Sequence, residues 1–160
     1  MIRTLVLATL IGLATGCAGI DDLARVRRMP LPGSGFAETL AREYRNFAVQ
    51  RSVNGGWPAA EHFAEKAVAA LAGQIPEPEP VDTGIAPPLR DELARARTRL
   101  ARSLASGAPQ RFPAFAAVSL ARFDCWAERS ANLPLGVDAE RCRREFEENQ
   151  ITLEEALSRT

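Results

Sequence analysis

A chain of 160 residues is long enough for one domain with its own core and too short for two comfortable ones. Its apolar share of 46% and charged share of 25% are those of a folded protein and exclude wholesale disorder. Twenty basic residues cancel twenty acidic ones, so no long-range field draws the chain to nucleic acid. All the basic residues are Arg except Lys66, and together with the abundant Ala this bias reports a GC-rich genome more than a phosphate-binding role.

The chain opens with Arg3 and an uncharged run from Leu5 to Leu13. Crossing a bilayer takes about 20 apolar residues, so this run is too short to span one. A charged start, an apolar middle and a small-residue end have the form of a secretory signal. The segment closes Leu13-Ala14-Thr15-Gly16-Cys17, which resembles the lipobox of bacterial lipoproteins, with Ala14 where that family usually carries Leu. The resemblance implies removal of residues 1–16 and acylation of Cys17, and Ala18 after it implies sorting to the outer membrane. The alternative is ordinary cleavage near Gly19 with loss of Cys17.

Residues 17–35 are expected to form the lipidated N-terminus and a flexible tether, because Met29-Pro30-Leu31-Pro32-Gly33-Ser34-Gly35 cannot hold a helix. A helical domain is expected over residues 36–160. Phe36, Leu40, Tyr44 and Phe47 share one face of a first helix ending near Arg51, before Asn54-Gly55-Gly56. Trp57-Pro58 opens a second, with Phe63, Ala67 and Leu71 on one line, Ala60, Ala64 and Val68 on the next, and Gly73 as its stop. Residues 74–88 carry five prolines and are expected as an extended surface crossover. Leu89, Leu93, Ala96, Leu100 and Leu104 mark an Arg-rich third helix closed by Gly107.

A fourth helix is expected between Pro109 and Asn132, burying Phe112, Ala116, Ser119, Phe123 and Trp126 with Phe115 beside them. Leu133-Pro134-Leu135-Gly136-Val137 forms the turn, with Asp138 as N-cap and Glu140 in the first turn of a fifth helix. That helix has Asn149 as its expected point of fraying or bending, and Ile151, Leu153 and Leu157 continue its apolar face. No run alternates over strand length. The expected fold is therefore all-α, a single domain of about five helices.

Cys125 lies about 10 Å from the turn on one side and Cys142 about 6 Å on the other, at 1.5 Å per helical residue. A five-residue turn absorbs that offset, and an exported protein meets an oxidising compartment, so Cys125 and Cys142 are expected to join the C-terminal helical hairpin by a disulfide. Two buried thiols are the alternative. A zinc site lacks the remaining Cys or His ligands, and a thiol–disulfide enzyme lacks CxxC.

Phe123-Asp124-Cys125-Trp126, Glu128, Cys142-Arg143 and Phe146, with Glu43-Tyr44-Arg45, Trp57-Pro58 and Phe63-Ala64 before them, resemble the N-terminal helical domain of alphaproteobacterial OmpA-family lipoproteins. The likeness covers about Phe36 to Phe146. Members commonly continue into a peptidoglycan-binding domain; this sequence ends at Thr160, so no residue here inherits that site.

His62 is the sole histidine, and any Ser–His–acid system has to centre on it. Glu61 and Glu65 adjoin it, and Glu65 could share a metal with it, but the remaining ligands are missing and a surface histidine is the plainer reading. Asp124 and Glu128, four apart, could act as acid and base; ion pairs of Glu128 near Arg122 or Arg129, and of Asp124 with Arg143 or Arg144, are the structural alternative. No phosphate loop or cofactor motif is present. The expected function is a non-enzymatic envelope lipoprotein, anchored by lipid at the periplasmic face of the outer membrane and binding another envelope component. The alternative is a helical module for a small apolar ligand. Convergence of His62 with Asp124 or Glu128 would revive a catalytic reading.

Overall fold

The computed structural model describes residues 18–132 and 136–159. Cys17, the signal-like segment before it and the expected turn residues Leu133-Pro134-Leu135 lie outside the described residues. Where apolar side chains recur every three to four positions the backbone is helical, and no strand occurs among the described residues. The helices are α1 (Ala18–Arg28), α2 (Phe36–Val53), α3 (Trp57–Leu71), α4 (Pro87–Ala105), α5 (Ala108–Arg111), α6 (Pro113–Asn132) and α7 (Val137–Ser158).

Five of these correspond to the expected helices; α1 and α5 bring the number among the described residues to seven. The expected tether is corrected by α1. It buries Leu23 and Val26, one turn apart, and packs chiefly on α3. The Pro/Gly stretch after it is held as well. Arg45 donates to the Met29 carbonyl at 3.1 Å, and Arg42 donates to those of Leu31 and Gly33 at 3.1 and 2.6 Å. The single turn α5 exists because Gly107, at φ 83°, reverses the chain at no steric cost, while Pro113 cannot continue a helix begun before it. α6 accordingly restarts with Pro113 as its first residue.

Two helical hairpins meet through α2 and α6. α2 and α3 bring together Tyr44, Phe47 and Phe63; α6 and α7 bring together Phe123, Trp126 and Phe146, with Phe123 and Phe146 ring centres 5.6 Å apart. Each such side chain, buried fully, stabilises the fold by about 1.5–3 kcal/mol. Ala41, Ala48, Ala60, Ala64, Ala67, Ala117 and Ala121 let the helices approach closely around these rings. A smaller cluster of Ala108, Ala116 and Leu153, flanked by Leu104, Phe112 and Leu157, closes the far end.

Two expected core positions are corrected. Phe115 is 41% exposed and Ile151 50% exposed, because the faces of α6 and α7 that meet carry Ser119, Phe146, Gln150 and Leu153 instead. α7 also runs unbroken past Asn149, whose amide donates to the Phe115 carbonyl at 2.8 Å and to Ser119 Oγ at 2.7 Å. The residues between α3 and α4 form no regular structure, as expected of the proline-rich crossover, but Pro78 and Ile85 within it are buried.

Candidate functional site

Asp124 sits on the inner face of α6, between Phe123 and Cys125, with no exposed surface. A carboxylate there must be hydrogen-bonded or neutralised, since desolvating a bare charge costs several kcal/mol or more. Three elements supply its partners. Tyr44 of α2 donates its hydroxyl to Oδ2 at 2.5 Å, Lys66 of α3 donates to the same oxygen at 2.6 Å, and the backbone N–H of Glu79 donates to Oδ1 at 2.8 Å.

Lys66 in turn donates to Glu79 Oε1 at 2.6 Å and to the Glu77 carbonyl at 3.4 Å, so all three ammonium protons are engaged. His62, one turn earlier on α3, lies 2.5 Å from the same Glu79 oxygen through Nε2. Arg97 of α4 closes the arrangement from the other side by donating to the carbonyls of Pro78 and Glu79 at 3.2 and 3.0 Å. The crossover is thus strapped to α3, α4 and α6 by one charged cluster.

The electrostatics follow from this packing. Burial, with the negative charge of Asp124 second, pushes the Tyr44 hydroxyl well above its ordinary value. Burial also pushes the Asp124 carboxyl up, against the pull of Lys66, Tyr44 and the Glu79 N–H. For Glu79 burial acts in the same sense, but the hydrogen bond from His62 and the charge and hydrogen bond of Lys66 outweigh it and hold the carboxyl at about 2. The Glu79 hydrogen bond raises His62 above 6.5, opposed in part by burial.

His62 therefore does join Asp124, indirectly, through Glu79 and Lys66. Asp124 is sealed and all three Lys66 ammonium protons are engaged; His62, with 45% of its side chain exposed, is the most open member, ahead of Glu79 at 15%. The arrangement can clamp the crossover. His62 pairs with Glu79 and not with Glu65, and the described residues contain no group of three His, Cys, Asp or Glu that could hold a metal.

Asp124 also does not reach Arg143 or Arg144. Arg143 donates to Glu92 at 2.7 Å and pairs with Glu140 at 3.3 Å. Glu128 takes Arg51 of α2 at 2.5 Å and lies 3.8 Å from its neighbour Arg129, whereas Arg122 turns to Glu43 and Glu145. Asp124 and Glu128 thus belong to separate clusters.

Cys125 of α6 and Cys142 of α7 form a disulfide with Cα atoms 5.9 Å apart, both buried beside Trp126 and Phe146. A cleft of about 670 Å³ lies where α4 and α7 begin, lined by Pro88, Leu89, Trp126 and Val137 together with Arg141, Arg143 and Arg144.

Lys66, Tyr44 and Glu79 are the members that reading the sequence for chemistry missed. One signal was available: Lys66 and Asp124 stand on apolar helix faces, beside Phe63 and Ala67 and beside Leu120 and Phe123, where a charge has to have a partner. Comparison with protein families, with curated proteins and with solved structures finds no match to this chain.

Proposed function

We propose that the protein is a non-enzymatic envelope lipoprotein, acylated at Cys17, whose helical domain stands at the periplasmic face of the outer membrane and binds another envelope component. The observation that carries the reading is the Cys125–Cys142 bond, which belongs to an oxidising compartment, on a chain with a signal-like start ending in Cys17. Its resemblance to the N-terminal domain of OmpA-family lipoproteins supports the same location. The non-enzymatic reading rests on Asp124 and Lys66 being satisfied by each other and by Tyr44 and Glu79 in the interior.

Membrane fractionation tests it: wild-type protein sediments with outer membranes and Cys17→Ser is released, while unchanged fractionation of the variant overturns the anchor. Mass analysis of the mature protein should find acyl chains on Cys17. Crosslinking in the native envelope then identifies the bound component. A second reading, a module for a small apolar ligand, rests on the cleft over Trp126. Saturable quenching of tryptophan emission by a fatty acid, abolished by Leu89→Arg, would favour it.

A further inference from the structure

At the corner where α2 turns into α3, Val53 is 77% exposed and Trp57 55% exposed, on either side of Asn54-Gly55-Gly56. The last turn of α1 lies against this corner, because Arg27 donates to Ser52 Oγ at 2.5 Å. That turn carries Arg25, Arg27 and Arg28, all exposed. Among the described side chains no acid pairs with any of the three; Asp22 in α1 and Glu61 in α3 make no ion pair with them. Arg51, in the same corner, is already taken by Glu128. The result is an open apolar pair with a basic rim that no described acidic side chain pairs.

We propose that this corner docks on an anionic lipid surface. The inference rests on the membrane-tethered reading above and names which face of the domain meets the bilayer. Charge complementarity selects the occupant: basic clusters are drawn to negatively charged leaflets, and tryptophan settles at the headgroup level, where its ring is in apolar surroundings and its N–H stays wet. The anchor and the corner are also near in the chain. α1 begins one residue after Cys17 and its 11 residues extend about 16 Å, so an acylated Cys17 keeps the arginine turn within reach of headgroups.

The tryptophans make the test selective, because Trp126 is 1% exposed and Trp57 55%. Purified mature acylated protein is bound to vesicles of phosphatidylcholine with or without phosphatidylglycerol. Iodide and bromine-labelled lipid then report on Trp57. The expected result is shielding from iodide and quenching by brominated lipid only on the anionic vesicles. Trp57→Phe should remove the lipid-sensitive signal. Arg25→Gln/Arg28→Gln, at two side chains that bond no other helix, should lower the docked-to-undocked ratio by about thirty-fold, at roughly a factor of five for each basic residue near the surface.

Protein that sediments with both vesicle types while Trp57 stays equally open to iodide overturns the docking and leaves the anchor standing. A lipid-sensitive signal that survives Trp57→Phe overturns it too, as does photo-crosslinking from position 57 to protein instead of lipid. Absence of acyl chains on the mature protein overturns the anchor alone, and anionic shielding of Trp57 would still support the docking.

Discussion

A lysine and an aspartate buried together, 2.6 Å apart, are held by what surrounds them as much as by each other. Removing one partner strands the other. Lys66→Met leaves Asp124 without its countercharge, and Asp124→Ala leaves Lys66, Tyr44 and the Glu79 N–H without their acceptor. Each should lose about 3–5 kcal/mol in urea denaturation, and Lys66→Met/Asp124→Leu should recover part of the loss of Lys66→Met, the remainder reflecting Tyr44 and the Glu79 N–H left without their acceptor. At His62 the expectation concerns pH. Its folded value lies above 6.5, so its contribution is complete below the unfolded value and disappears as pH rises through the folded one. Denaturation midpoints should therefore fall from about pH 6 to pH 8 by an amount worth about 0.2–1 kcal/mol, as befits a half-exposed pair, and His62→Gln should flatten the slope. Glu79 has the opposite sign: its contribution is present above 4.5 and is lost as pH falls toward about 2. None of this cluster was legible as a cluster, because residues 44, 62, 66, 79 and 124 meet only after the helices pack.

The helices themselves were largely legible. α2, α3, α4, α6 and α7 each carry enough apolar positions on one face to announce themselves, and Pro58 and Gly107 stand where helices start and stop. α1 does not. It offers two buried anchors, Leu23 and Val26, in a stretch otherwise rich in Arg and Asp, and becomes a helix in the company of α3. Leu23→Asp should therefore undock α1 without unfolding the domain: trypsin should cut at Arg27 or Arg28 faster while the thermal midpoint changes little. If the midpoint collapses with it, α1 is integral to the cooperative core. The α6–α7 hairpin makes a stronger demand. Its disulfide closes a loop of 17 residues, and Cys125→Ser/Cys142→Ser should cost about 3 kcal/mol, roughly 6–12 °C in thermal midpoint.

On the scale of the whole molecule, two hairpins share one interface along α2 and α6, and the crossover between α3 and α4 runs over the polar cluster that joins them. Chemistry legible in local sequence, the two cysteines and their compartment, concerns a single hairpin. Chemistry that joins the hairpins, Tyr44 to Asp124 and Arg51 to Glu128, spans 80 and 77 residues and leaves no local pattern. The crossover has a consequence of its own. Arg97 grips it through the carbonyl oxygens of Pro78 and Glu79, and every amino acid presents that atom. Ile75, half exposed and outside this grip, is therefore free to drift, and relatives should diverge freely there while retaining Arg97, Glu79 and the path of the chain between them.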